Sequence, residues 1–382
     1  MLPLAYAVRN LFRVPARFVQ IVLGSGLVIL LLMLASALSS GMNAVLRSSG
    51  SEENVIVLGS GSEESVERSE IKASVPGLLS ASVKGLDGRF GQAMVSGEVH
   101  FAGFVELSDG GSKQALLRGV APVAMSVHPE VRLLEGSFPR PGEAMVGRLA
   151  PTKLRVEPDL IQVGSKIVVE NTELTVSGIF EAPGTVMEAE IWTDLGDMLA
   201  IAQRDSLSCA VVRLGNGATF DDVDLFTLQR LDLELAAMSE SDYYGKLSAF
   251  YTPLRVMTWI TAVLVAAGAI FGGLNTLYAA FSARIREMAT LQSIGFGRPA
   301  LLVSLLQESL FATLIGALLA ATVALLVADG LTVPFSIGTF TLSITPGVLG
   351  VGLIGGLLLA IVGALPPAWT CLARELPAAL RS

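Results

Sequence analysis

Charged residues are scarce in this 382-residue chain, where they make up 16% of the sequence. A soluble domain carries roughly 25% charge. Hydrophobic residues make up 52% of the chain, and the mean hydropathy is +0.63. Because so little charge cannot cover the surface of several soluble domains, the composition indicates a membrane protein.

Cysteine and histidine are also scarce, with two residues of each type. Cys209 and Cys371 fall in parts of the chain predicted below to lie on opposite sides of a membrane, so they predict neither an intrachain disulfide nor a Cys-based zinc or redox site. His100 and His128 lack HExxH-type spacing and an adjacent acid in a ligand pattern, so we expect no metal site.

Motifs for covalent or nucleotide chemistry are missing. The sequence contains no GxSxG motif, and Gly110-Gly111-Ser112-Lys113 lacks the Gly-Lys-Ser/Thr order of a Walker A loop. We therefore expect a chain that is not itself an enzyme, binds no cofactor and cannot hydrolyse ATP through a P-loop.

The charges are unevenly distributed. Residues 42–250 carry 17 basic and 30 acidic residues, whereas the rest of the chain carries 9 basic and 4 acidic ones. A nucleic-acid-binding protein is disfavoured, because phosphate contacts require a basic face. The pattern indicates an acidic, water-soluble middle between two apolar ends.

Four apolar runs are long enough to cross a bilayer. The first includes 29 uncharged residues between Arg17 and Arg47, and the second includes 28 between Arg255 and Arg284. The third is interrupted by Gln307 and Glu308. We predict membrane spans at residues 18–40, 255–281, 300–328 and 347–369.

The first span has an alternative interpretation as a cleaved signal peptide. Ala35-Ser36-Ala37 resembles a small-residue cleavage site. The apolar run is longer than the 7–15 residues of a signal-peptide core, which favours a membrane span.

Basic residues predict the orientation, because they concentrate on the cytoplasmic side. Eight arginines flank one set of span ends, at Arg9, Arg13, Arg17, Arg284, Arg286, Arg298, Arg374 and Arg381. The loop 329–346 has none, and we predict a short extracytoplasmic loop there. This places both termini, the connector 282–299 and the tail 370–382 in the cytoplasm.

The remaining segments complete the predicted architecture. Arginines at four-residue spacing predict an amphipathic interfacial helix at residues 1–17. Short apolar alternations broken by Gly, Pro and Ser predict strands in the segment 41–254. Helical patterns appear at 222–238 and from Asp242 into the second span. We predict four transmembrane α-helices with a large extracytoplasmic α+β domain, of one core or two subdomains, inserted between helices 1 and 2.

The connector carries the candidate functional residues. Arg284 to Ile294 are predicted to continue the second span as a helix that Gly295 and Gly297 end. Its apolar face contains Ile285, Met288, Leu291 and Ile294. An exposed apolar face predicts a docking surface for another protein, although the face could instead pack against the chain's own N-terminal helix. For Glu308 in the third span we favour snorkelling or pairing with a connector arginine over a substrate contact.

The connector resembles the S-E-R-x-R-E-I-G-x-x-R-A-x-G-A motif of FtsX/MacB-type ABC transporter permeases. The matching residues are Ser282, Arg284, Arg286, Glu287, Met288, Ser293 and Gly295. It departs from the motif at Ala283, Ala289 and Gln292. Other stretches resemble the family in the same order, including YAVRNLFRVPARF, LLEGSFPRPGEAMVGR, LLQESLFATLIGALLA and ARELPAALRS.

The resemblance implies a permease subunit that works as a dimer above two copies of a separate ATPase, which would bind ATP and Mg²⁺. The connector residues Arg284–Gly295 would couple ATP hydrolysis to export or mechanotransmission on lipid, lipoprotein, peptide or drug cargo. A membrane-fusion protein or another periplasmic accessory protein and membrane lipids are further expected partners. Two alternatives stay open: an FtsX-like regulator of a periplasmic cell-wall hydrolase, and a membrane-anchored sensor without an ATPase.

Overall fold

The computed structural model describes residues 4–89, 92–108 and 110–373, which form two compact units. The helical unit comprises the described residues within Met1–Ser40, Pro253–Leu331 and Leu342–Ser382, and the sheet unit those within Gly41–Thr252 and Thr332–Thr341. The helices are α1 (Leu4–Leu11), α2 (Pro15–Ser48), α3 (Val75–Ser82), α4 (Ala124–Val127), α5 (Ala150–Leu154), α6 (Leu195–Ile201), α7 (Phe220–Gln229), α8 (Glu240–Phe250), α9 (Thr252–Ser282), α10 (Ile285–Ser293), α11 (Arg298–Val323) and α12 (Pro346–Ala373).

The described strands all belong to the sheet unit. They are β1 (Asn54–Gly59), β2 (Ile71–Lys72), β3 (Gly88–Arg89), β4 (Gln92–Ala93), β5 (Val95–Glu106), β6 (Ser112–Val120), β7 (Arg132–Gly136), β8 (Glu143–Gly147), β9 (Lys166–Val169), β10 (Thr172–Glu181), β11 (Ile191–Asp194), β12 (Ser206–Leu207), β13 (Cys209–Arg213), β14 (Leu235–Ser239), β15 (Thr332–Phe335) and β16 (Gly338–Thr341).

Among the described residues, four helices are long and apolar enough to cross a membrane: α2, α9, α12 and α11 with its π-helical extension to Ala328. Glycines allow some of them to approach closely. A Cβ on Gly316 of α11 would lie 2.7 Å from the carbonyl oxygen of Val22 in α2, and one on Gly352 of α12 would lie 2.2 Å from the Met33 side chain. Small residues at such crossings let membrane helices pack backbone to backbone.

The sheet unit is built on a ten-stranded mixed sheet with the order β14-β1-β13-β5-β6-β11-β8-β10-β7, with β9 pairing both β10 and β5. Successive residues of a strand point to opposite faces of the sheet. Both faces are covered by buried hydrophobic residues. Val55 and Val57 of β1 join the largest hydrophobic cluster, while Ile56 and Leu58 join a separate one. The unit therefore buries one core on each face of a single sheet.

The second face also buries an ion network. The Arg118 guanidinium donates to both oxygens of Glu190 at 2.8 Å and to Glu98 at 3.0 Å, and His128 Nε2 lies 2.9 Å from the other Glu98 oxygen. Burial disfavours the imidazolium of His128, but the neighbouring Glu98 carboxylate outweighs burial and raises the pKa of His128 to about 10. His128 is therefore a cation at neutral pH.

The sheet unit corrects one expectation about helices. The helix predicted over 222–238 is wrong in its second half, because α7 ends at Gln229 and residues Leu235–Ser239 form β14. This strand pairs antiparallel with β1, which supplies its backbone hydrogen bonds. Tertiary pairing overrides local helical periodicity there.

Proline breaks two further predicted helices. The helix expected from Asp242 into the second span is interrupted at Tyr251, where α8 ends and α9 begins with Pro253 in its first turn. The helix predicted over 1–17 is likewise divided, since Pro15 opens α2 after a turn that contains Arg13. Proline lacks a backbone N–H and suits the first turn of a new helix. The loop predicted at 329–346 contains the β15–β16 hairpin.

Candidate functional site: the connector between helices α9 and α11

The connector is a short helix set off from both neighbours. It was predicted to continue the preceding helix, but α9 ends at Ser282 and α10 begins separately at Ile285. Its predicted end is confirmed, since α10 stops at Ser293 and Gly295 follows with φ of +108°. A side chain would strain the backbone in that region, so glycine suits this position. The turn at Arg284 lets α10 leave the direction of α9.

A buried carboxylate anchors the start of this helix. Glu308 of α11 accepts hydrogen bonds from Arg284 at 2.8 Å and from Arg17 of α2 at 3.0 Å, one on each oxygen. The side chains are 7% (Glu308), 11% (Arg284) and 15% (Arg17) exposed. Charged pairs removed from water in this way hold their geometry firmly. Glu308 therefore pairs with a connector arginine, the alternative that the sequence favoured.

A second carboxylate extends the network to the N-terminal helix. Glu287 of α10 accepts a hydrogen bond from the Tyr6 hydroxyl of α1 at 2.8 Å and lies 3.3 Å from both Arg13 and Arg284. Burial opposes the ionisation of Glu287, but the Tyr6 hydrogen bond and the Arg284 charge outweigh it, so its pKa is lowered. Arg284 joins the two carboxylates, and the network therefore ties α1, α2, α10 and α11 together.

The apolar face of α10 is largely used inside the helical unit. Ile285 and Met288 are 6% and 2% exposed and lie in one cluster with residues of α9, α11 and α12, including Phe281, Leu301 and Ala364. Leu291 is half-buried against the same cluster, whereas Ile294 is 70% exposed. The expectation of an exposed apolar face is therefore wrong for Ile285 and Met288. These two residues pack against the chain itself, although mainly against its membrane helices rather than its N-terminal helix.

The outward side of the connector is polar apart from Ile294. Arg286, Thr290 and Ser293 are exposed, as are Gly295 and Arg298 beyond the end of α10. A protein that docks on this side would meet one aliphatic side chain and two arginines.

The arginines predicted to flank the membrane differ in their environments. Arg9 and Arg13 are exposed, whereas Arg17 is part of the buried network, so these arginines do not share one solvent-facing role. Arg374 and Arg381 lie outside the described residues. Among the described arginines, Arg17 and Arg284 form ion pairs inside the helical unit.

Sequence reasoning missed Tyr6, because nothing in its neighbourhood distinguishes it from other aromatic residues of an interfacial helix. Glu308 carried a clear signal as a lone acid in an apolar run. In the described part of the chain, a metal-ligand cluster occurs in the sheet unit, at Glu98, His100 and Cys209, and not in the connector.

Two family models match this chain. The model of the FtsX-like permease C-terminal domain matches residues 259–376, and that of the MacB-like periplasmic core domain matches residues 20–224, more than half of the sequence. No curated protein matches the chain.

Solved structures resemble part of it. The periplasmic region of MacB from Actinobacillus actinomycetemcomitans is 13% identical, with a TM-score of 0.40, covering 54% of this chain and 96% of that one. A domain of a putative permease protein from Porphyromonas gingivalis is 14% identical, with a TM-score of 0.35, covering 49% and 88%. The extracellular domain of the ABC-type transporter YknZ from Gram-positive bacteria is 12% identical, with a TM-score of 0.36, covering 48% and 99%.

Proposed function

The chain belongs to the FtsX-like and MacB-like permease family, and from that premise we propose that it is the membrane subunit of an ABC transporter driven by a separate ATPase chain. Two ATPase copies, with bound ATP and Mg²⁺, would sit against two copies of this permease. The sheet unit would act on lipid, lipoprotein, peptide or drug cargo outside the cytoplasm, alone or with a periplasmic accessory protein. Both termini and the connector would face the cytoplasm of a bacterium whose inner membrane holds the protein.

The observation that carries the proposal is the anchoring of α10. A short helix that only linked two membrane helices would not need ties to three other helices. Here Glu287 accepts a hydrogen bond from Tyr6 of α1, and Arg284 pairs with Glu308 of α11, which also pairs with Arg17 of α2. A push on α10 would therefore move the membrane helices together, which is what coupling to an ATPase requires.

The docking surface we propose differs from the face predicted by sequence. Because Ile285 and Met288 are buried, the contact with the ATPase falls on Ile294, Arg286 and the end of α10. An exposed aliphatic side chain that becomes buried in an interface typically contributes about 1–3 kcal/mol, more than an exposed charge. Ile294 is therefore the side chain whose replacement should weaken binding most.

The experiment compares three forms of the tagged full chain purified from its native cells. The wild-type chain should co-purify with a P-loop ATPase, and the complex should hydrolyse ATP. Ile294→Asp should lose most of the ATPase while the permease remains folded. Leu231→Asp is the matched control, because Leu231 is a similarly exposed aliphatic residue of the sheet unit and should leave binding unchanged.

Two outcomes would contradict the proposal. A wild-type chain that carries no P-loop ATPase would favour a membrane-anchored sensor. An Ile294→Asp chain that retains the ATPase as well as the wild type would remove the proposed docking surface.

A further inference from the structure

Three side chains with different ligand atoms meet on the second face of the sheet. Cys209 of β13 lies directly opposite Glu98 of β5 in the antiparallel register. His100 follows Glu98 by two residues in the same strand, so all three side chains point to one face. Strand pairing thus brings together residues that are more than a hundred positions apart.

The ligand atoms are close enough to share one ion. A carboxylate oxygen of Glu98, a ring nitrogen of His100 and the Cys209 sulfur all lie within 4.8 Å of one another. The distance from Glu98 Oε2 to His100 Nε2 is 3.4 Å. Two oxygen and nitrogen ligands at about 2.0–2.2 Å from a tetrahedral zinc ion lie about 3.3–3.6 Å apart. The hydrogen-bonded contact between His100 and Glu98 therefore has a separation that such an ion also allows.

Burial and access also fit a bound ion. Glu98 and Cys209 are 0% and 1% exposed, whereas the His100 side chain is 20% exposed. Within the described residues, the Cys209 thiol is free and has no hydrogen-bond partner. A buried thiol without a partner beside a carboxylate is an available ligand, and His100 offers the route from solvent.

The surrounding groups hold the carboxylate in place. His128 lies against Glu98 Oε1, and Arg118 donates to Oε2. The positive charges of Arg118 and His128 would both oppose a metal ion. Two hydrogen bonds to Glu190 compensate the charge of Arg118, and the Glu130 carboxylate, 3.5 Å from His128 Nδ1, compensates that of His128. Glu240, 3.8 Å from the same His128 nitrogen, adds a further buried acid. Ligating carboxylates are commonly oriented by such neighbouring hydrogen bonds.

We propose that Glu98, His100 and Cys209 bind a divalent transition-metal ion of the zinc class, with a fourth position left open. A thiolate, an imidazole and a carboxylate together suit zinc, whereas magnesium and calcium prefer oxygen ligands. The site lies in the sheet unit and does not depend on the proposed coupling to an ATPase.

The experiment uses the full chain in detergent, freed of metal with a chelator and titrated with Co²⁺ as a spectroscopic substitute for Zn²⁺. The expected result is one Co²⁺ per chain, with a thiolate-to-cobalt charge-transfer band and the visible bands of four-coordinate cobalt. Zn²⁺ should then displace the cobalt and bleach both signals.

Variants assign the signal to its ligands. Cys209→Ser should abolish the charge-transfer band, whereas Cys371→Ser, the matched control at the other cysteine, should retain it. His100→Ala should weaken binding by more than the roughly 10–100-fold typical of outer ligand partners. His100 is partly exposed, so this variant tests the site even if Cys209→Ser fails to fold.

Two results would overturn the proposal. One is a wild-type chain that binds no Co²⁺ with a thiolate signature. The other is a His100→Ala chain that binds Co²⁺ with wild-type affinity and spectrum, which would indicate adventitious binding elsewhere.

Discussion

Glu308→Gln is the substitution that most directly tests the connector network. It keeps the shape of the side chain but removes the charge shared by Arg17 and Arg284. Because both arginines are largely buried, the change leaves two cations without a compensating anion. Removing one partner of a buried ion pair typically costs about 3–5 kcal/mol.

The remaining contacts decide where this cost appears. Arg284 keeps its 3.3 Å contact with Glu287, while Arg17, among the described residues, forms an ion pair with Glu308 only. Arg284→Gln should therefore cost less than Glu308→Gln, because Glu308 retains Arg17. The largest loss is expected for the acid, whose two ion pairs link α2 to the start of α10.

Hydrogen–deuterium exchange of the full chain in detergent measures the effect. Opening of α10 in Glu308→Gln should become easier by about 3–5 kcal/mol, or two to three and a half orders of magnitude in exchange rate, since 1.4 kcal/mol is a factor of about ten. The control is Glu173→Gln, which breaks the exposed Lys166–Glu173 pair and should cost about 0–1 kcal/mol. The change in the exchange rate of α10 in Glu308→Gln is compared with the change in the exchange rate of β10 in Glu173→Gln. If the first change is no larger than the second, the network does not anchor the connector.

Three further predictions concern other parts of the chain. Gly316→Ala should destabilise the helical unit by about 1–3 kcal/mol in denaturant titrations, because its Cβ would lie 2.7 Å from a carbonyl oxygen of α2. Gly350→Ala, with nothing within 4 Å, should be neutral to stabilising, since alanine favours a helix more than glycine does, and equal effects would refute the close helix contact. Trp192→Phe should lower the thermal stability of the sheet unit by about 1–3 kcal/mol, because the indole N–H donates to buried Glu190 at 2.7 Å; an unchanged melting temperature would contradict this. In a cysteine-free background, Arg286→Cys should resist an impermeant thiol reagent added outside intact cells, and labelling there would reverse the proposed orientation.

The sequence alone determined the features that depend on local composition. The four apolar helices follow from runs long enough to cross hydrocarbon, and the end of α10 follows from Gly295, which tolerates a positive φ. The pairing of Glu308 was also foreseeable, since a lone acid in an apolar helix needs a nearby cation and the connector contains arginines. The permease motif in the same connector pointed to the family that the comparisons show.

The tertiary structure decided which groups meet. Periodicity showed that α10 has an apolar face, but the pattern is the same whether that face packs against the chain or a partner. In the structure the face packs against Leu301 of α11 and Ala364 of α12. No local sequence pattern predicts where those two helices lie relative to α10. Strand order and register likewise place Cys209 beside Glu98, although sequence spacing had argued against a metal site. Such contacts join residues far apart in the chain, and only the folded sheet and helix packing bring their side chains within bonding distance.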